Sequence, residues 1–163
     1  MKAFRLLFLC TGNSARSQMA EAILNERSKG RFRAKSAGSK PAARVNPHAI
    51  ETLHEYGIEW KGHPPQSVEG LENEKWDFVI TVCDRAKESC PIFPGQPVLA
   101  HWGMEDPADA VGEDAARKAF REAYLLLARR IDLLLALPVE KLERLALQAQ
   151  VRAIGAADQV ISP

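Results

Sequence analysis

The amino-acid sequence predicts an α/β fold, a single domain with a four-stranded, mostly parallel sheet and helices on both faces. Short apolar runs of strand length alternate with longer segments of helical periodicity, and this order produces parallel strands joined by right-handed crossovers. The chain has 163 residues, 46% of them hydrophobic and 26% charged, which suits one soluble domain with a single core. In such folds, ligands bind at the carboxyl ends of the strands.

Four strands are predicted from apolar and β-branched runs. They cover residues 4–9, 32–36, 76–82 and 96–101. Helical segments lie between and after them. The predicted helices begin at residue 17 and then cover 47–56, 67–73, 113–137 and 139–154. Pro47 favours the start of the second helix, whereas Gly57 and Pro138 favour the ends of the second and fourth.

The long helix at 113–137 is predicted to be amphipathic and to pack on the sheet. Its inward stripe is Ala116, Phe120, Ala123, Tyr124, Leu127, Ile131, Leu134 and Leu135. We expect the domain proper to occupy residues 1–137, with 138–163 as a helical extension of the same domain. The last helix is expected to end at Gly155 before a frayed tail at 156–163. One face of that helix is predicted to carry Leu142, Leu145, Ala146 and Ala149.

Composition argues against several classes of function. Lys and Arg number 22 against 21 Asp and Glu, a net charge of +1, so we expect no nucleic-acid or membrane partner. The sequence shows no signal peptide and no apolar run near the roughly 20 residues of a membrane span, so we expect a cytoplasmic protein. The histidines lack metal-ligand spacing with the cysteines, so we expect no metal and no cofactor. Three cysteines in a reducing compartment favour catalytic or redox use.

The most specific motif is Cys-Thr-Gly-Asn-Ser-Ala-Arg-Ser at residues 10–17, between the first predicted strand and the first predicted helix. Backbone amides and the positive end of the helix dipole converge at such a junction and bind oxyanions. Gly12 and Asn13 tolerate the left-handed backbone that turns amides inward. Cys10 is the predicted nucleophile, and Arg16 the bidentate donor. The predicted oxyanion site consists of Thr11, Gly12, Asn13, Ser14, Ala15, Arg16 and Ser17.

Two further cysteines are expected at or near the same edge of the sheet. Cys83 follows the third predicted strand as Cys10 follows the first, so both thiols belong to the carboxyl edge. If the two strands are neighbours, about 4.8 Å apart, their end residues lie near the Cα spacing of a disulfide. Cys90 lies in a polar segment whose rearrangement would bring its thiol to Cys83. The alternative is that Cys83 is a small core residue and Cys90 an incidental loop thiol.

Asp106 is the predicted general acid. It follows the fourth predicted strand, and Pro107 restricts it to an extended conformation that can present the carboxyl group to the thiol site. The alternative is a turn or a helix start, which is common for Asp-Pro. Glu105 and Asp109 are weaker candidates for the same role.

With these motifs the chain resembles the low-molecular-weight tyrosine phosphatases and, more closely, the thioredoxin-coupled arsenate reductases built on the same fold. The match runs from residue 2 to 137 and rests on segments 8–22, 36–38, 83–91 and 101–107. The loop and Asp106-Pro107 belong to both branches. Phosphatases of this type carry aromatic residues after Asp-Pro, whereas Ala108 and Asp109 follow here. The reductases carry a Val-Cys-Asp…Cys-Pro segment, which is complete in this chain.

The resemblance implies an arsenate reductase. Cys10 attacks arsenate that is held by the loop amides and Arg16, while Asp106 protonates the departing oxygen. Cys83 then attacks Cys10 with release of arsenite. Cys90 attacks Cys83, and the resulting Cys83–Cys90 disulfide is reduced by thioredoxin, with glutaredoxin as the alternative reductant. Phosphate and sulfate are expected to compete with arsenate for the loop.

Supporting roles are implied in the same way. Ser17 stabilises the Cys10 thiolate and Asn13 braces the loop. Some relatives bind potassium through residues corresponding to Asn13, Glu21 and Ser36, but the usual acidic ligand is replaced near Gln66, which argues against potassium here.

Two other functions are compatible with the sequence. The first is a phosphomonoesterase, acting on phosphotyrosine or aryl phosphates with Cys10, Arg16 and Asp106, in which Cys83 only protects the nucleophile by reversible disulfide formation. The second is a non-enzymatic sensor of oxyanions or redox state. Hydrolysis that survives loss of Cys83 and Cys90 identifies the phosphatase, and binding without turnover identifies the sensor.

Overall fold

A computed structural model describes residues 2–85, 87, 88, 92–95 and 97–161, with side chains described as far as residue 156. Strands and helices alternate as the sequence predicts. The strands are β1 (Phe4–Cys10), β2 (Phe32–Gly38), β3 (Phe78–Thr81) and β4 (Val98–His101). The α-helices are α1 (Arg16–Arg27), α2 (Pro47–Glu55), α3 (Glu113–Ala136) and α4 (Arg144–Ile161). Short 3-10 helices lie at Leu71–Asn73, Pro107–Asp109 and Val139–Lys141.

The sheet has the strand order β2-β1-β3-β4, and every pair of neighbours is parallel. This confirms the predicted α/β class with a parallel four-stranded sheet. Within the central pair, Leu9 lies opposite Thr81, and the Val82 amide donates to the Leu9 carbonyl at 2.8 Å. The carboxyl ends of β1 and β3 are therefore side by side, which places the residues after each strand at a common edge.

Alternate residues of β1 face two apolar clusters. Leu6 and Phe8 belong to the larger one, to which all four α-helices contribute, including the predicted stripe of α3 from Ala116 to Leu134. The smaller cluster consists of Leu7, Leu9, Ala37, Trp76, Val79 and Phe93. Coverage of this second face comes from Val68 and Leu71 in the 3-10 helix region rather than from a long helix.

The helix predicted over 67–73 is shorter than expected. Only Leu71–Asn73 is helical, as a 3-10 turn. Gly70 has a left-handed backbone with φ of 87° directly before it, and this conformation interrupts a continuous helix. The apolar periodicity of the segment reflects its packing against the smaller cluster instead.

The predicted helix end at Gly155 is wrong, because α4 continues to Ile161. A Cβ atom at Gly155 would lie 2.5 Å from the His101 carbonyl oxygen and 2.9 Å from Cδ1 of Trp102. The glycine therefore permits close packing of α4 on the end of β4. Residues 156–161, predicted to be frayed, are helical.

The apolar face predicted for the last helix is not the one that is buried, although Leu142 packs against the larger cluster. Leu145 is 75% exposed, and Ala146 and Ala149 are exposed as well. The buried side chains are Leu147, Val151 and Ile154. The α-helix begins only at Arg144, after a 3-10 turn and an extended Leu142, so the helical phase differs from that of a helix beginning at residue 139.

Side chains of α4 form hydrogen bonds with backbone groups of the edge strand β4. Gln148 Oε1 accepts from the Leu99 amide at 3.3 Å, and Arg152 Nε donates to the Leu99 carbonyl at 3.0 Å. The Trp102 indole donates to the Val151 carbonyl at 3.0 Å. The helix thus covers an edge that could otherwise pair with another strand. Within the described part of the chain, no helix is both long enough and apolar enough to cross a membrane.

Candidate active site

The loop between β1 and α1 has its carbonyl groups directed away from the site. Four of them accept hydrogen bonds from the segment that follows β2: Cys10 from Ser39, Thr11 from Lys40, Gly12 from Ala42 and Ser14 from Asn46, at 2.8 to 3.2 Å. Among the described residues, the amides of Gly12, Ser14 and Ala15 have no protein acceptor. Free amides at a helix N-terminus are suited to anion binding, and the motif predicts an oxyanion site at this position.

Gly38 allows β2 to approach this loop closely. A Cβ atom there would lie 2.4 Å from the Thr11 carbonyl oxygen and 3.0 Å from the Asn13 amide nitrogen. Both contacts are with backbone atoms, which cannot turn aside as a flexible side chain can. The glycine at the end of the 36–38 motif is therefore required by the path of the loop.

We expect Gly38→Ala to lower the free energy of unfolding by about 1–3 kcal/mol, because the added methyl overlaps backbone atoms. It should also weaken phosphate binding, since the loop must shift to make room. Denaturant unfolding and calorimetric titration with inorganic phosphate measure the two effects. Gly155→Ala is the control, because it meets the His101 carbonyl instead and should lower stability without changing phosphate affinity. Unchanged phosphate affinity in Gly38→Ala would contradict the predicted role.

Cys10 is a buried free thiol at the base of the loop. Its sulfur lies 2.8 Å from Ser17 Oγ and accepts from the Asn13 amide at 3.2 Å. Asn13 adopts the expected left-handed conformation, with φ of 51°, and its side-chain amide donates to Ser17 Oγ at 2.8 Å. The Cys10 sulfur is thus held at the base of the loop, beside the N-terminus of α1.

A polar network behind the loop holds Asn13 in place. Its Oδ1 accepts from the Gln66 amide at 3.0 Å and faces the Gln18 side-chain amide at 3.4 Å. Nearby, Glu21 Oε1 accepts from Ser36 at 3.0 Å and lies 2.9 Å from His63 Nε2.

His63 forms a hydrogen bond with the Glu21 carboxylate through Nε2. The hydrogen bond with the Glu21 carboxylate raises the pKa of His63 above its usual value, although partial burial opposes the shift. Asn13 Oδ1 and Glu21 Oε1, which belong to residues that the resemblance associates with potassium, both accept hydrogen bonds from protein donors in this arrangement.

Arg16, the first residue of α1, is 3% exposed and reaches back across the loop mouth. Its two terminal nitrogens bind the two carboxylate oxygens of Glu88, at 2.5 and 2.7 Å. Nη1 also donates to the Met104 carbonyl at 3.2 Å, and Nη2 lies 3.6 Å from Asp106 Oδ2. Burial disfavours the charged guanidinium, but the Glu88 hydrogen bond and the charges of Asp106 and Cys10 raise its pKa.

Glu88 was not predicted as a site residue. Besides Arg16, its carboxylate accepts from the Thr11 hydroxyl at 2.7 Å and from the Asp84 amide at 2.9 Å. Partial burial favours the neutral carboxyl, but the hydrogen bonds from Arg16, Asp84 and Thr11 outweigh it and lower the pKa of Glu88 to about 2. Glu88 is therefore fully ionised at neutral pH.

Asp106 lies at the site, as predicted. Its backbone is extended, with ψ of 113°, and its Oδ1 accepts from the Ala108 amide at 3.0 Å, which starts the short 3-10 helix after Pro107. The other oxygen points to Arg16. A cavity of about 590 Å³ lies beside it, bordered by Glu88, Met104 and Asp106. The weaker candidates Glu105 and Asp109 are exposed.

Cys83 lies at the edge of the sheet that the sequence predicted, two residues beyond the end of β3 and beside the end of β1. It is fully buried and disulfide-bonded, whereas Cys10 is free. Cys90 lies outside the described residues, so its predicted approach to Cys83 stays a prediction.

Sequence reasoning missed three contributions to the site. Glu88 is one acid among several in a polar segment, and no spacing marks it. The Met104 contact uses a backbone carbonyl, to which any residue could contribute. The pair of Glu21 with His63 links residues 42 positions apart in the chain, so local sequence carries no signal for it.

A buried cysteine and a buried arginine at the two ends of an amide-lined loop, on a parallel four-stranded sheet, define the class of cysteine-dependent phosphatase folds. Residues 5–148 match the family described as low molecular weight phosphotyrosine protein phosphatase. The chain belongs to this family. The resemblance predicted from the sequence is thus confirmed.

Arsenate reductases are among the proteins with similar sequences. The arsenate reductase of Halalkalibacterium halodurans is 37% identical over 127 residues, which cover 77% of this chain and 91% of the relative. A solved arsenate reductase in its phosphate-binding state has a TM-score of 0.70 and 29% identity, covering 83% of this chain and 98% of that one. The structure of a thioredoxin-dependent arsenate reductase of Corynebacterium glutamicum has a TM-score of 0.57 and 28% identity. The match covers 77% of this chain and 59% of that one.

Proposed function

We propose that this protein reduces arsenate to arsenite with a relay of three cysteines. The observation that carries the proposal is the position of Cys83, one strand away from the nucleophile Cys10 at the same edge of the sheet. A phosphatase needs only one thiol, whereas a reductase needs a second thiol to accept the bond from the first. The sequence similarity to arsenate reductases supports the same conclusion.

The first step forms a covalent adduct. The loop amides and the Arg16 guanidinium hold the arsenate oxygens, and the Cys10 thiolate attacks arsenic from the base of the loop. A sulfur–arsenic bond forms while one arsenic–oxygen bond breaks. That oxygen leaves as water, with a proton supplied by the Asp106 carboxyl group. Ser17 and the Asn13 amide, both in contact with the Cys10 sulfur, stabilise the thiolate before the attack.

The second step transfers the electrons. The Cys83 thiolate attacks the Cys10 sulfur, and a Cys10–Cys83 disulfide forms. The sulfur–arsenic bond breaks with its electron pair on arsenic, so As(V) becomes As(III) and leaves as arsenite while two thiols are oxidised.

The third step restores the nucleophile. The Cys90 thiolate attacks Cys83, releasing the Cys10 thiolate and leaving a Cys83–Cys90 disulfide. A dithiol reductant then supplies two electrons. The disulfide at Cys83 beside a free Cys10 supports this assignment, and the thioredoxin dependence of the Corynebacterium glutamicum relative supports thioredoxin as that reductant. A relay of reduced thiols is suited to the cytoplasm.

We further propose that residues 1–137 form the catalytic unit and 138–163 an extension of it. The site residues Cys10, Arg16, Cys83 and Asp106 all precede the extension, and α4 contributes to the cover of β4 instead.

The test is a coupled assay with arsenate, thioredoxin, thioredoxin reductase and NADPH. We expect arsenate-dependent NADPH oxidation by the wild type and none above background by Cys83→Ser, because the adduct then has no thiol to resolve it. Cys90→Ser should permit one turnover without recycling. Sustained turnover by either variant would refute the relay.

The second candidate is an aryl phosphatase. The amide loop, Arg16 and Asp106 are sufficient for phosphoryl transfer to Cys10, and this observation favours it. Against it, Ala108 and Asp109 stand where an aromatic side chain would stack on a substrate ring. Hydrolysis of an aryl phosphate at an equal rate in wild type and Cys83→Ser, without arsenate-dependent NADPH oxidation, would favour the phosphatase.

A further inference from the structure

We propose that the Glu88 carboxylate competes with the substrate oxyanion for Arg16. Glu88 occupies the site while Cys83 is disulfide-bonded, and it leaves the site when that disulfide is reduced. The inference rests on the proposed function, because it assumes that the Cys10 loop and Arg16 bind the substrate oxyanion. It assigns a role to Glu88, which follows Cys83 in the chain: its carboxylate controls access to the site.

The geometry of the Glu88 carboxylate is that of a bound anion. Both of its oxygens face the two terminal nitrogens of Arg16, and one of them also accepts from the Thr11 hydroxyl. A planar fork of this kind is the arrangement by which arginine binds carboxylates and tetrahedral oxyanions alike. Arsenate and Glu88 therefore require the same donors.

The two anions cannot both use the terminal nitrogens of Arg16. The remaining contacts of these nitrogens are taken by the Met104 carbonyl at 3.2 Å and by Asp106 at 3.6 Å. The guanidinium is buried, so its terminal nitrogens cannot turn to solvent. Bidentate binding of an oxyanion by these nitrogens therefore requires the Glu88 carboxylate to leave.

The position of Glu88 is coupled to the second thiol. Its Oε2 accepts from the amide of Asp84, the residue directly after Cys83, so the carboxylate folds back onto the start of its own segment. Cys83 is disulfide-bonded in this arrangement. Reduction of that disulfide removes a covalent constraint on Cys83 and on Asp84 next to it. The Glu88 carboxylate then loses the geometry that holds it at Arg16.

Such coupling serves the relay. An oxyanion that bound to the oxidised enzyme would form an adduct on Cys10 that no free thiol could resolve. With Glu88 at Arg16, the oxidised enzyme excludes arsenate and phosphate until its dithiol has been restored. The low pKa of Glu88 supports this, because the carboxylate stays charged throughout the neutral range.

The test compares affinity for inorganic phosphate in the reduced and disulfide forms of wild type and Glu88→Gln, by calorimetry, with the redox state verified by thiol titration. We expect wild type to bind phosphate about tenfold or more weakly when oxidised than when reduced, because the open state is rarely populated. In Glu88→Gln, which keeps the shape but not the charge, the oxidised form should bind about tenfold more tightly than oxidised wild type.

Glu122→Gln is the matched control. Glu122 borders the same cavity, so its replacement changes the local charge equally, but it does not contact Arg16. We expect its affinity for phosphate to equal that of wild type in both redox forms. If Glu122→Gln tightens phosphate binding as much as Glu88→Gln, the effect is one of net charge and the proposal is wrong.

The remaining outcomes separate this proposal from arsenate reduction itself. Phosphate binding that is equal in oxidised wild type and oxidised Glu88→Gln overturns the competitor role even if the NADPH assay succeeds. Tighter binding by Glu88→Gln together with a failed NADPH assay supports the competitor role and overturns arsenate reduction. If no form binds phosphate, the oxyanion site is refuted, and the competitor role with it.

Discussion

Replacement of Cys10 by serine is expected to abolish arsenate reduction, with a loss of turnover on the order of 10⁵-fold or to background. Cys10 is the thiol that faces the amide loop, with Ser17 Oγ at 2.8 Å and the Asn13 amide at 3.2 Å from its sulfur. A serine hydroxyl is a much weaker nucleophile at neutral pH than a thiolate, and it cannot pass a sulfur–arsenic bond on to Cys83 as a disulfide.

In this variant we expect oxyanion binding to be kept while turnover is lost. The loop amides and Arg16 stay in place, so Cys10→Ser should retain affinity for inorganic phosphate within a fewfold of wild type, by calorimetry on reduced protein. The NADPH-coupled assay measures the loss of turnover. Turnover within about tenfold of wild type would mean that another thiol attacks arsenate, and Cys10 would then lose the role of nucleophile.

The loop at residues 10–17 could be predicted from the sequence because its residues are contiguous. Eight consecutive residues supply the thiol, the left-handed turn, the amides and the guanidinium, and an apolar run on one side with helical spacing on the other places them at a strand end. Cys83 and Asp106 could be placed by the same rule, since each follows a strand of a parallel sheet. The structure brings them to the edge that this rule indicates.

What the sequence could not indicate depends on packing between distant segments. Leu145 and Leu147 are equally apolar, and only contact with β4 decides that Leu147 is buried and Leu145 exposed. Gly155 matched the pattern of a helix end, but the neighbouring His101 carbonyl is the reason for the glycine. Glu88 is chosen from several acids by its distance to Arg16, 72 positions away in the chain.

Replacement of Arg16 by lysine is expected to lower kcat/KM for arsenate by about 10²–10³-fold, although the positive charge is kept. The guanidinium offers two parallel donors to two oxygens, as its contact with Glu88 illustrates, whereas an ammonium offers a point charge on a shorter reach. The oxygens that gain charge as arsenate is attacked then lose one of their two fixed partners. Steady-state kinetics in the NADPH assay measure the change.

Arg33→Lys is the control, because Arg33 is exposed on β2 and the same exchange there should leave kcat/KM unchanged. A rise in KM with unchanged kcat would mean that Arg16 binds arsenate without stabilising the transition state. Unchanged kinetics would mean that Arg16 takes no part in the reaction. The competitor role of Glu88 makes a further demand on this variant. Since lysine weakens the hold on the Glu88 carboxylate and on phosphate together, the difference in phosphate affinity between reduced and oxidised protein should shrink in Arg16→Lys. A difference as large as in wild type would mean that Glu88 does not act through Arg16.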